Sequence, residues 1–189
     1  MQKIMFNDRY GLTEEVLDDY KTMTRRIVPK ALLPNDRGSL LKMSRFKVGD
    51  EIAIAQKYSE CVNDILTNWG HKTDIATLAF KELAGWDNKM FVKAELMPHR
   101  IRITDIRVER LQDIPEEDCF KEGVWEDDSR SITFGGYQIT YPYYRFEEDG
   151  DLFTTPRKAF AALIDKVSGK GTWESNPYVW VYSFELMKI

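Results

Sequence analysis

The closing stretch of the chain, Tyr178 to Leu186, sets Trp180, Tyr182, Phe184 and Leu186 on one side of an extended strand and Val179, Val181, Ser183 and Glu185 on the other. Its first half is apolar on both faces, as a strand with neighbours on each side and cover above and below requires. A central strand needs a sheet around it. The alternating segments that can supply one are Thr22 to Val28, Ile52 to Ala55, Met90 to Leu96 and Arg100 to Leu111. No repeated strand-helix-strand pattern links them, so a doubly wound parallel sheet is not expected; the pattern predicts one curved, mostly closed sheet with helices around it. Within Arg100 to Leu111, Ile101 and Ile103 lie in one phase and Ile106 and Val108 in the other. A slip of one residue near Thr104-Asp105 predicts a β-bulge, the device by which small barrels bend.

The helices are read from period and punctuation. Leu12, Val16 and Tyr20 recur at intervals of four, with Thr13 as the expected N-cap. Residues 58–85 read as helical, one face made by Cys61, Ile65 and Leu66 and another by Ile75, Leu78, Ala79 and Leu83, with Gly70 and Gly85 as stops. Pro115 opens a short acidic helix that Gly123 closes, leaving Glu122 in its last turn. Thr155-Pro156 caps a clear helix carrying Phe160, Leu163, Ile164 and Val167, ended by Gly169. Lys30 to Ser44 shows no sustained period and reads as a loop. Residues 132–146 read as a hairpin turning at Gly135-Gly136; its aromatics either pack the hairpin or stack bases, packing being the commoner use.

A chain of 189 residues is long enough for one domain to bury a core without disulfides or metal. Its two cysteines, Cys61 and Cys119, and two histidines, His71 and His99, are isolated, so neither a disulfide framework nor a metal site is expected, and no cofactor. No apolar run is long enough to span a bilayer and no signal-peptide core precedes the first helix, which predicts a cytoplasmic protein without a membrane partner. The net charge of -4 argues against a general nucleic-acid coat. The charges are unevenly placed, however: residues 21–47 are basic and residues 113–128 acidic. Either an anionic ligand sits near the first segment or the two segments pair with each other.

Where the first helix hands over to its strand stands Lys21-Thr22-Met23-Thr24-Arg25-Arg26. Strand alternation puts Thr22, Thr24 and Arg26 on one face and Met23 and Arg25 on the other. Read from composition alone, this is a solvated basic edge strand.

With the Phe46-Lys47-Val48-Gly49-Asp50 turn, the unit from Ile101 through Val108-Glu109-Arg110-Leu111 to Glu122-Gly123, and the closing Asn176-Pro177-Tyr178-Val179-Trp180-Val181, the sequence resembles the ASCH-domain family. The resemblance is nearest to the longer ASCH-type proteins of bacteriophages and prophages. It implies an α+β fold, a small curved β-barrel of the PUA-like kind with flanking helices, in a single domain over 1–189 with inserts at about 55–92 and 125–155. More distantly the chain is similar to small bacterial N4-acetylcytidine amidohydrolases, whose proposed catalytic Lys, Thr and Glu fall on Lys21, Thr24 and Glu122. That likeness implies amide hydrolysis on an N-acylated cytidine, with Thr24 as nucleophile and Lys21 and Glu122 as acid and base. The other reading it leaves open is a non-catalytic module for RNA or a modified nucleobase, with Lys21, Arg25 and Arg26 holding phosphate and Thr24 reading a base edge; Thr22, Arg25 and Arg26 are the expected ligand-binding residues. The inserts are absent from the short enzymes and are expected at the rim of the cleft. One departure is Asp19, where the family usually carries a Gly two residues before the Lys; Asp enters the left-handed region less readily, which predicts a different helix end.

Overall fold

A computed structural model describes residues 1–32, 37–70, 74–127, 131–134, 137–140 and 142–187. The fold mixes helices with a five-stranded sheet built from β1 (Gln2–Ile4), β2 (Met23–Ile27), β3 (Glu51–Ile54), β4 (Arg100–Arg110) and a last strand, Tyr178–Met187, in the spatial order β1, β3, β4, last strand, β2. β1 runs parallel to β3, and every other pairing is antiparallel. The last strand is therefore interior, as its doubly apolar first half requires: Val179, Val181 and Tyr182 are buried completely or nearly so. On β4 the register passes from Ile103 opposite Phe184 to Asp105 opposite Ser183, which leaves Thr104 as the extra residue of the expected bulge. The bulge turns the phase, so Ile101 and Ile103 reach the core before it and Ile106 and Val108 pack against the core after it.

Around the sheet lie α1 (Leu12–Leu17), α2 (Arg37–Lys42), α3 (Tyr58–Asn68), α4 (Asp74–Lys81) and α5 (Glu116–Lys121). Two antiparallel pairs follow: β5 (Trp125–Asp127) with β8 (Tyr143–Arg145), and β6 (Ser131–Phe134) with β7 (Tyr137–Thr140). Helices α6 (Pro156–Ser168) and α7 (Thr172–Ser175) precede the last strand, β9 (Tyr178–Met187). α6 begins as expected, with Thr155 accepting from the Lys158 amide at 3.2 Å and Pro156 in the first turn, and it ends at Gly169 with φ of 106°. The Gly135-Gly136 turn lies outside the described residues.

Several expectations need correcting. Met90 to Leu96 is not a strand: two single 3-10 turns, Lys89–Phe91 and Ala94–Leu96, occupy it. The edge place beside β3 goes instead to β1, too short for alternation to reveal. Lys30 to Ser44 is not a plain loop, since it holds a 3-10 turn at Lys30–Leu32 and then α2, whose Leu40 is buried. On α4, Leu78 and Ala79 face solvent along with the following Leu83, while Phe80 is buried against Tyr58; Ile75 lies outside the described side chains.

The core has two parts, and β3 divides them. Ile52 and Ile54 enter the main cluster with β4, β9, α1 and α6, whereas Ala53 and Ala55 pack on the opposite face against Tyr58, Cys61, Ile65 and Phe80. Residues 58–97 thus form a satellite core of their own beneath the sheet. The segment after β5 behaves differently, because Phe146 is buried in the main cluster, edge-on to Tyr10 and stacked on Phe153. For Phe146 and for Tyr144, which meets Phe120 edge-on, packing rather than base stacking is the use; Phe134, Tyr137 and Tyr141 lie outside the described side chains.

Candidate functional site

The end of α1 aims the site. Asp19 adopts the left-handed conformation with φ of 64°, the Asp19 amide donates to the Val16 carbonyl at 3.2 Å, and the Tyr20 amide reaches the Glu15 carbonyl at 2.9 Å. This is the Schellman ending that a glycine would form, so the expected difference at Asp19 does not occur. Thr13 is not the N-cap; Gly11 holds that place and the Thr13 hydroxyl donates to Asp8 at 2.6 Å. Tyr20 lies off the buried face, 77 % exposed. The Lys21 amide also donates to the Glu15 carbonyl at 2.9 Å, and the Thr22 amide to the Lys121 carbonyl at 3.1 Å, which fastens the start of β2 to the end of α5.

Those two anchors bring Lys21 and Glu122 together. The Lys21 ammonium donates to the Glu122 carbonyl at 2.6 Å and to its carboxylate Oε2 at 2.8 Å, and both residues are buried. Burial pushes the Lys21 pKa below its ordinary 10.5, against the pull of Glu122 and Glu15 and with Arg26 adding to the decrease. Glu122 is the C-cap of α5 rather than a member of its last turn.

Arg25 is the centre of a larger network. Its guanidinium donates to Glu122 Oε1 at 3.1 Å, to Glu109 Oε1 at 2.7 Å and to Asp118 Oδ2 at 3.0 Å. Arg107 joins it by donating to Glu109 at 3.0 Å and to Asp118, and Lys121 donates to Asp118 at 3.0 Å. The sheet register explains the grouping, because Arg25 and Arg107 both pair with Val181 from opposite sides and so stand in one row on one face. Burial alone would raise the pKa of Asp118; Lys121, Arg25 and Arg107 outweigh it and hold the carboxyl below the usual range. Burial likewise disfavours the charged Arg25, and Glu122 and Glu109 more than restore it. At Lys21 and Arg25 the basic and acidic segments therefore do pair with each other, and the first three residues of this edge strand are buried rather than solvated.

Beside the network lies a cavity of about 270 Å³, lined by Lys21, Thr24, Arg25, Arg26 and Glu122 together with Phe6, Leu12 and the α6 side chains Phe160, Leu163, Ile164 and Val167. Because β2 is an edge strand, a cavity alongside it meets side chains from both faces. Lys21, Thr24 and Glu122 thus share one concavity, as do Arg25 and Arg26; Thr22 does not line it, and its carbonyl accepts from Phe184 at 2.9 Å in the sheet. No described residue of 55–92 or 125–155 lines the cavity, so the expectation that the inserts form its rim is corrected: α6 walls it instead. No family model, curated protein or solved structure compared with the chain matches it.

Glu109, Arg107, Asp118 and Glu15 were not anticipated. Asp118 stands one turn before the C-cap Glu122, and Arg107 and Glu109 two apart on one strand face, and these spacings are the signal the sequence carried for them. Glu15 gave no signal beyond an acid in a first turn. Its Oε2 is buried without a hydrogen-bond partner, and burial pushes its pKa up to about 8, with Lys21 acting in the opposite direction.

Proposed function

We propose that the chain is an ASCH-type amidohydrolase acting on an N-acylated cytidine, with Thr24 as nucleophile, Lys21 as general base and Glu122 as the group that holds and exchanges its proton. The observation that carries this reading is a buried lysine of lowered pKa paired with a glutamate in the same cavity as a threonine. In free solution an ammonium of pKa near 10.4 is almost never a base at neutral pH; burial works against that obstacle by disfavouring the charged form, and Glu122, which accepts from the ammonium, is placed to take up its proton. The Thr24 hydroxyl attacks the acyl carbonyl as Lys21 accepts its proton. The lysine then returns a proton to the departing cytidine amine, and water releases the acyl group from Thr24. Arg25 fixes Glu122 through Oε1 and leaves Oε2 for Lys21, which keeps the pair in register. A cavity of about 270 Å³ suits a nucleoside better than a polymer lying across the surface.

The fold reading belongs to the same proposal. A small PUA-like barrel is supported by one contact across the edges of the sheet: Arg26 of β2 donates to the carbonyl of Met5, just after β1, at 2.7 Å. A strongly curved sheet brings its edges that close.

The second reading, a binding module without chemistry, draws on the same ion pairs, since a fully paired Lys21 is also a rigid ligand clamp. Incubation of the purified protein with N4-acetylcytidine, with free cytidine as readout, tests the first. Lys21→Arg keeps the charge but has no basic form at neutral pH, so it abolishes turnover in an enzyme and leaves cytidine binding nearly intact in a clamp. Absence of turnover in the unmodified protein, with cytidine bound by both forms, rejects the hydrolase.

A further inference from the structure

A second cavity of about 270 Å³ adjoins the first, lined among others by Met5, Arg26, Arg45, Phe46, Trp180 and Tyr182, and no carboxylate among the described residues lines it. Arg26 belongs to both cavities. The sheet register sets parts of both linings on one face, because Thr24 pairs with Tyr182 and Arg26 with Trp180. Along β2 the step from Thr24 to Arg26 is about 7 Å.

Among the described residues no carboxylate forms an ion pair with the cations of this second cavity, and Glu122 attracts Arg26 only from the first. Arg26 donates to the Met5 carbonyl at 2.7 Å, and Arg45 to Gln2 Oε1 and the Lys3 carbonyl, both at 3.2 Å; neither guanidinium has a carboxylate partner among the described residues. Arg25, the residue just before Arg26, has three such partners. Arg45 lies 5.0 Å above the Phe46 ring, which holds the guanidinium at the cavity and leaves donors free. Arg26 sits similarly over Phe6 at 5.7 Å. Two braced guanidiniums facing one carboxylate-free cavity, over an aromatic floor of Phe46, Trp180 and Tyr182, make a site for a small multidentate anion.

We propose that this cavity is a phosphate subsite, so that the ligand whose base enters beside Thr24 is a nucleotide and its sugar phosphate lies between Arg26 and Arg45. The inference rests on the nucleoside reading above and narrows it from free nucleosides to phosphorylated ones. The same chemistry serves the phosphate of a mononucleotide and an internal phosphate of RNA, and the test separates them.

Calorimetric titrations of the intact protein with cytidine, cytidine 5′-monophosphate, the dinucleotide CpC and inorganic phosphate are run on the unmodified chain, Arg45→Ala and Arg45→Lys. The phosphate is expected to improve affinity over cytidine by at least about tenfold, as charge-assisted hydrogen bonds do. Arg45→Ala removes most of that gain without changing cytidine affinity, and Arg45→Lys keeps part of it. CpC binding as tightly as the monophosphate assigns the subsite to RNA, and binding by the monophosphate alone assigns it to mononucleotides. Equal affinities for cytidine and its monophosphate, or a gain untouched by Arg45→Ala, overturn the proposal while the nucleoside reading stands. Inorganic phosphate binding that depends on Arg45, with no binding of any cytidine compound, supports the anion subsite and overturns the nucleoside reading. No binding of any of the four overturns both.

Discussion

Replacing Glu15 by Gln is expected to make the protein more stable, by an amount that grows with pH. Glu15 keeps Oε2 buried and unpartnered against Gly123, where a side-chain carbon on the glycine would come within 2.1 Å of it. Its pKa rises from 4.5 to about 8 in the fold. A carboxyl whose folded value lies above its unfolded one contributes its full stability below the unfolded value and loses it as pH climbs to the folded value. Across that window each pH unit costs about 1.4 kcal/mol, which gives a ceiling on the order of 5 kcal/mol at pH 8 and above. Glutamine has the same shape and does not titrate. Urea unfolding at about pH 5 should therefore find the two proteins nearly equal, and at about pH 8 should find Glu15→Gln more stable by at least about 2 kcal/mol, allowing for partial access of solvent to the side chain. A difference that stays constant across the range, or a less stable variant at high pH, refutes the argument that burial holds Glu15 neutral.

Thr24→Ala should abolish release of cytidine from N4-acetylcytidine while changing cytidine affinity by less than about tenfold, the worth of one hydrogen bond, as steady-state kinetics and calorimetry would read. Arg25→Met leaves Glu109, Asp118 and Glu122 facing one another without their shared cation and should destabilise the fold by about 3–5 kcal/mol in denaturant titration. Phe146→Ala should cost about 3–5 kcal/mol, because the ring is 1 % exposed within the main core; a loss under about 1 kcal/mol would return this segment to the periphery.

Much of the sheet was legible because alternation and phase are local signals. The bulge at Thr104 shows this best: two isoleucines in one phase followed by Ile106 and Val108 in the other admit no unbroken strand. α6 was equally plain, its cap, proline, apolar stripe and terminal glycine all agreeing. Met90 to Leu96 failed because a brief apolar alternation is also what a pair of 3-10 turns over a hydrophobic surface displays. In the site, Lys21 and Thr24 stood out only through the family resemblance, and Arg25 did not reveal its partners. Those partners come from β4 and α5, more than eighty residues later, and only the pairing of β2 and β4 with the same residues of β9 places them together. Glu15 was opaque for a related reason, since an acid in the first turn of a helix is ordinarily a solvated partner of the dipole. What makes it unusual is Gly123, which arrives from elsewhere in the chain.

The two-sided burial of β3 bears on how such a chain can change. A strand with one buried face tolerates loss of whatever lies on its open side, so an insertion there is reversible. Here Ala53 and Ala55 have become the floor of a second core, roofed by Tyr58, Cys61, Ile65 and Phe80. Trimming residues 58–97 to reach a minimal domain would leave that floor wet and apolar, next to β1, which is held to the sheet by only three residue pairs. A shortened chain would then present a sticky face at a weakly guarded edge, and self-association would be its first failure. The segment is thereby a dependency: any shortened chain would have to recolour the floor with polar side chains before discarding the roof.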